Sequence, residues 1–144
     1  MAVNIYAYND GKMGILNGWI DLAGDIIKVA LCTSSYTPDI DVHDNFDDIT
    51  NELGASGNYT AGGATLGSKT AAADDTNDRG VFDAADLTWT ALTPSAAFRY
   101  GIIYRSTGTP STSRLIAYID FGADQNPGGS NFTIAWHADG ILYI

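Results

Sequence analysis

The densest supply of reactive side chains lies between Asp39 and Asp48, where Asp39, Asp41, His43, Asp44, Asp47 and Asp48 crowd together. Carboxylates and an imidazole at this density are metal-ligand chemistry, but no spacing among them places several ligands on one side. Helix capping and solvated turns account for them more simply. A second candidate runs from Asp75 to Asp86. Asp75, Asn77 and Gly80 fall at the first, third and sixth positions of a calcium-binding loop, Phe82 at the eighth, and Asp83 and Asp86 at the ninth and twelfth. Arg79 stands where an oxygen ligand belongs and no flanking helices are indicated, so this loop is expected to be metal-free. Gly62 to Thr70, GGATLGSKT, has the composition of a phosphate loop. That loop needs its lysine directly after the second glycine, and here Ser68 intervenes before Lys69. A glycine turn entering a strand is the expected structure.

Nucleophilic chemistry fares no better. Two histidines, His43 and His137, and the lone Cys32 cannot make a four-ligand structural zinc site without carboxylates. Cys32 lies in an apolar run and reads as a small buried hydrophobe. No GxSxG elbow is present, and no serine or cysteine is paired with His and Asp in a recognised pattern. The many aspartates leave a glycosidase pair formally open, with no motif to support it. The expectation is a non-enzymatic chain without metal or cofactor. Trp19, Trp89 and Trp136, with eight tyrosines, are the other notable supply. Alternating neighbours place most of them in the core or on sheet faces, and the same residue types build protein interfaces and carbohydrate platforms.

The bulk numbers narrow the class further. At 144 residues the chain has the length of one β domain spanning 1–144. Its net charge is −10, and all 17 acidic residues except Glu52 are aspartates, the acid of turns and caps. Seven scattered basic residues give no patch for phosphates, which argues against direct nucleic-acid binding. No apolar run is long enough to span a membrane, and no signal peptide is visible. Synthesis in a cytoplasm is therefore expected, and the glycosylation triplets at Asn58 and Asn131 are chance matches.

The elements that must position these residues are mostly strands. Asn9 or Asp10 is expected to cap a short helix to about Leu16, with Met13, Leu16 and Ile20 as its apolar spacing. Trp19 to Leu22 reads as a short strand, and Ile26 to Thr33 as a central one with two apolar faces. A second short helix is predicted from Asp44 or Asn45 to Leu53, on the spacing of Phe46, Ile49 and Leu53. Ala64 to Ala72 is weakly strand-like, and Asp74 to Gly80 a polar tip. Val81-Phe82 and Leu87 to Leu92 read as short strands. Phe98 to Arg105 and Leu115 to Phe121 alternate in polarity around a Gly-Thr-Pro-Ser loop, which predicts an antiparallel hairpin. Phe132, Ile134 and Trp136 line one face of a further strand, and Ile141 to Ile144 closes the chain. Strands at this spacing predict an all-β antiparallel sandwich or jelly-roll-like fold with one or two short helices.

With these elements placed, the order of motifs resembles a family of small tailed-bacteriophage virion structural proteins. The resemblance runs from about Lys12 to the C-terminus, and its motifs open with Gly18-Trp-Ile-Asp-Leu and Ile26-Ile-Lys-Val-Ala-Leu, followed by Ser35-Tyr-Thr-Pro-Asp39, His43-Asp44 and Asp48-Ile-Thr-Asn-Glu52. It continues with Tyr59-Thr-Ala-Gly-Gly-Ala-Thr-Leu66, Asp86-Leu-Thr-Trp-Thr90 and Tyr100-Gly-Ile-Ile-Tyr104. It ends with Leu115-Ile-Ala-Tyr-Ile-Asp-Phe-Gly122 and Trp136-His-Ala-Asp-Gly-Ile141. The resemblance implies a capsid decoration or cement protein located in the virion, with the major capsid protein or other virion proteins, and a homo-oligomer, as partners. A tail, head–tail adaptor or fibre component is the alternative among virion roles, and a carbohydrate-binding module the alternative from another class. No catalytic residue carries over. Residues 1–8 depart from the family pattern and read as an extra strand or arm, with Val3, Ile5, Tyr6 and Tyr8 as expected partner contacts.

Overall fold

A computed structural model describes residues 3–144, so Met1 and Ala2 of the expected arm lie outside the described residues. The described residues form an all-β, antiparallel fold with one α-helix and two short 3₁₀ turns. The largest sheet is built from β1 (Asn4–Ala7), β2 (Ile27–Cys32), β3 (Ala64–Thr65), β7 (Phe98–Arg105) and β8 (Leu115–Gln125), in the order β1-β8-β7-β2-β3. Two smaller sheets complete the fold. One holds β10 (Leu142–Tyr143), β5 (Arg79–Asp83) and β4 (Thr70–Asp74), and the other pairs β6 (Leu87–Trp89) with β9 (Phe132–Ile134). The main core fills the space between the large sheet and the two small ones. Ile27, Val29, Leu31, Ile103 and Ile119 come from one side; Phe82, Leu87, Trp89, Phe132 and Ile134 come from the other. Facing sheets around one apolar layer make the architecture sandwich-like.

The other face of the large sheet carries a second cluster: Tyr8, Ala30, Cys32, Tyr36, Ile102, Tyr104 and Leu115. The long 33–63 loop covers it, with Phe46 and Ile49 packed against it. Glu52, the sole glutamate, ties this loop down. Its carboxylate accepts the Tyr59 hydroxyl at 2.9 Å and the Gly62 N–H, while Tyr59 Oη accepts the Leu31 N–H at 3.0 Å. Gly63, at φ +82°, then passes so close to β2 that a Cβ would stand 1.8 Å from the Val29 carbonyl oxygen. Only glycine fits there.

Several local expectations are corrected. The α-helix α1 spans Asn9–Leu16, but its N-cap is Tyr8 and no side chain caps it. Its packed face is not Met13 and Leu16, which are exposed, but Gly11 and Gly14, both buried. The helix lies so near β8 that a side chain at Gly11 would meet main-chain atoms of Leu115 and Ile116. Trp19 to Leu22 is not a strand. The N–H groups of Trp19 and Ile20 both return to the Gly14 carbonyl, and Asp21 and Asp25 close a polar turn after them. The second helix shrinks to the 3₁₀ turn Phe46–Asp48. Asp48 accepts the N–H groups of Asp44 and Asn45, as a capping box should, but Ile49 is already extended. Main-chain bonds from Thr33 to Asn51 and from Leu53 to Leu31 draw the next residues onto the end of β2. Ala64 to Ala72 divides between β3 and β4, which belong to different sheets.

The hairpin of β7 and β8 forms as predicted, but two register shifts rearrange its faces. The shift between Phe98 and Tyr100 puts Phe98 in the main core, while Tyr100, Ile102 and Tyr104 stay on the other face. The shift opposite Ile103 and Tyr104 leaves Ile116 and Ala117 both in the main core and Leu115 behind it. Bulges of this kind break the period-two pattern on which a sequence reading relies.

Candidate interaction surfaces

β1 forms because Asn4 to Ala7 alternate outward and inward against an existing edge, pairing antiparallel with Asp120 to Ala117 of β8. The four expected contact residues therefore divide between two faces. Val3 and Ile5 are half-buried against the main core. Tyr6 is 47% exposed and stacks on Tyr118 at 5.1 Å between ring centroids. Tyr8 is fully buried. Its hydroxyl lies 2.8 Å from Tyr36 Oη, which in turn lies 2.9 Å from His43 Nδ1. Burial pushes the Tyr8 and Tyr36 hydroxyls well above the usual phenol range. As a partner contact Tyr8 is thus corrected: it anchors β1 to the chain's own core, because its ring completes the second cluster. The segment is an additional strand of the large sheet.

The outer edge of β1 is unpaired. It faces the 137–143 segment across a cleft of about 330 Å³ lined by Val3, Asn4, Ile5, Tyr6, Ile141 and Tyr143 among others. No main-chain hydrogen bond crosses this cleft among the described residues. On its far side lies β10, the edge strand of the three-stranded sheet. Two strand edges from two sheets thus flank one opening.

A second opening is larger and almost wholly apolar. It measures about 630 Å³ and lies between α1 and the inner face of the β10-β5-β4 sheet. Register explains it. Ala71 lies beside Phe82 and Phe82 beside Leu142, while Ala73 lies beside Gly80. Gly80 exchanges both main-chain bonds with Ile144. The row Ala73–Gly80–Ile144 therefore presents almost no side-chain bulk until its end, and a Cβ added at Gly80 would meet nothing within 4 Å. Ile15, Leu16 and Leu22 form the opposite wall, and Lys12 is the one charged residue lining it. Leu16 is 78% exposed and Ile144 74%. Apolar side chains left this open on a contiguous surface are a feature of contact sites.

The residues considered for chemistry are spread apart or occupied. Asp75 and Asn77 sit in the turn between β4 and β5, and β5 carries Asp83 and Asp86 away from it. Arg79 pairs with Asp74 at 2.9 Å and Asp139 at 2.8 Å; the Asn77 amide and Arg79 together hold the Asp74 carboxyl below its usual range, and Arg79 does the same for Asp139. Asp86 accepts the Trp136 N–H, and Asp83 the Ala84 N–H. In the 39–48 cluster Asp39 accepts the Asp41 N–H, Asp41 the Asn9 amide, and His43 Nδ1 the Asp39 N–H. Among the described residues no three His, Cys, Asp or Glu side chains are arranged to hold a metal ion. Gly62 to Thr70 is followed by β4 rather than by a helix N-terminus. His137 is exposed beside Asp139, and Cys32 is fully buried, where desolvation raises its thiol far above the usual range. The tryptophans do not share a face. Trp89 is in the core, Trp136 is half-buried and donates to the Ala85 carbonyl, and Trp19 lies under the Arg114 guanidinium at 4.5 Å.

No family model matches the chain, and neither does any curated protein or solved structure.

Sequence reasoning missed the apolar groove. Its signal was present in the run Ala71-Ala72-Ala73 and in Gly80, small residues on a strand pair where larger ones would fill a core.

Proposed function

We propose that this chain is a non-enzymatic structural protein of a tailed-phage virion, acting as a decoration or cement protein on the capsid shell. The ordered motifs from Gly18 to Ile141 suggest the virion. The observation that carries a binding role is the cleft between the β1 edge and β10. Two unpaired strand edges around one opening suit an extended segment of a shell protein, which would gain main-chain hydrogen bonds from an edge and place alternate side chains against Ile5 and Tyr143. The mechanism is mechanical: a protein bound across a seam between shell subunits adds its interface to the cost of separating them.

The test uses capsids purified without the protein. Adding it back is expected to raise the temperature and the osmotic stress at which they break. Tyr6→Glu, which puts a carboxylate on a half-exposed face of the cleft, is expected to fold normally and bind them less well. Capsids equally robust with and without the protein would point instead to the tail, adaptor or fibre role. Retention on a polysaccharide column, with no capsid binding, would point to the carbohydrate module.

A further inference from the structure

The groove beside β4 and the open edge of β4 itself are not used by this reading. Thr70 to Ala73 are exposed and pair on one side only, with β5. Open edges in proteins are ordinarily blunted by lysine, proline, a bulge or an inward charge. The edge Thr70-Ala-Ala-Ala-Asp74 has none of the first three, and its one charge, Asp74, is engaged by Arg79. We infer that the β4 edge is a self-association surface, pairing antiparallel with β4 of a second copy about a two-fold axis through Ala72.

Geometry selects the register. In an antiparallel ladder opposed residues are both hydrogen-bonded across the seam or both not, so a strand meeting its own copy must set some residue opposite itself. An axis at Asp74 would put two carboxylates face to face. An axis at Ala72 pairs all of β4, sets Thr70 opposite Asp74 of the second copy, and sets Ala71 opposite its Ala73. One position beyond each end, Lys69 then faces Asp75 of the second copy, and the two-fold repeats this pair. Neither Lys69 nor Asp75 has an ion-pair partner among the described residues. The charges are complementary only between copies, and a self-complementary patch is what a two-fold interface requires.

The same register joins the apolar grooves. The row Leu142–Phe82–Ala71 continues across the seam into Ala73–Gly80–Ile144 of the second copy, on the face that carries α1 in both. Exposed Ile144 and Leu16 lie along the joined trough. The seam is short, five residues from each copy. Reversible association in the micromolar range is therefore expected, rather than an obligate dimer. This inference does not depend on the capsid role.

Sedimentation velocity on the whole chain over a concentration series tests it. The wild type is expected to pass reversibly from monomer to dimer. Lys69→Asp and Asp75→Lys, each placing like charges opposite each other twice, are expected to weaken the dimer about 10-fold. The double variant, which restores the pairing with signs exchanged, should return to within about twofold of wild type. Ala72→Lys, at an exposed position, should be monomeric with an unchanged circular-dichroism melt. A wild type that stays monomeric throughout would overturn the inference. So would a dimer that neither Ala72→Lys nor the charge exchange alters, and a double variant as weak as the singles would overturn the register.

Discussion

Replacing Gly11 with alanine separates two accounts of how α1 is held. If the helix packed through Met13, Leu16 and Ile20, Gly11→Ala would only improve helix propensity, a gain of about 1 kcal/mol. In the structure a Cβ at Gly11 falls 2.6 Å from the Leu115 carbonyl oxygen, 2.7 Å from that of Ile116 and 2.8 Å from the Ile116 Cα. All three are main-chain atoms of β8, which is held between β1 and β7, so no rotamer change relieves the overlap. Overpacking of this kind costs ~1–3 kcal/mol, and a rigid main-chain neighbour places it at the upper end. After the helix gain, the expected net loss is about 2 kcal/mol. For a chain of this length that lowers the melting temperature by roughly 4–8 °C. Calorimetry gives the temperature, and urea denaturation gives the free energy at constant m-value. Gly67→Ala serves as the comparison, since a Cβ there meets nothing within 4 Å and φ is not positive. It should be neutral or stabilise by ~0.4–1 kcal/mol. A Gly11→Ala protein that melts at or above wild type would refute the glycine-face packing.

Acid sensitivity should follow the hydrogen-bonded carboxylates. The N–H groups of Asn45 and Asp44 lower the Asp48 pKa, and Arg99 lowers that of Asp120. A depressed folded pKa contributes stability that is present above the unfolded value, near 3.9 by the usual ~3.9 for aspartate, and is lost as pH falls through the folded value. Stability is therefore expected to fall on acidification below about pH 4, and Asp48→Asn should flatten part of that limb in urea titrations from pH 6 downward. Asp44 works in the opposite direction, because desolvation and the nearby Asp10 and Asp48 raise its pKa. Cys32 should be inert to a thiol-specific chromogenic reagent in the native protein and react fully in denaturant; rapid native labelling would place the thiol near the surface instead.

The fold class was legible because strand period, turn residues and spacing agree over the second half of the chain. The β7–β8 hairpin follows directly from alternation and its intervening loop. What was hidden depends on long-range pairing. Phe98 and Ile116 change sides at register shifts that no two-residue pattern announces. The stripe of Phe46, Ile49 and Leu53 has helical spacing, but Ile49 and Leu53 reach the core from extended backbone, because the end of β2 captures residues 51–53. The residues of the N-terminal strand were visible as contact candidates, but their division was not: pairing with β8 sends Ile5 to the main core and Tyr6 and Tyr8 to the other face beside Tyr118, where Tyr36 of the 33–63 loop covers Tyr8 and leaves Tyr6 half-exposed. The apolar groove is a consequence of what is missing, side-chain bulk at Ala73 and Gly80, and small residues read in sequence as turns or weak strand.

Cryo-electron microscopy of purified virions that contain this chain decides whether it reinforces a capsid shell. Density matching this sandwich is expected on the outer head surface, over seams between shell subunits, with the β1–β10 cleft facing a strand of the capsid protein. Density for the fold only at the neck, tail or fibres, or a head surface on which it is absent, would contradict the capsid role.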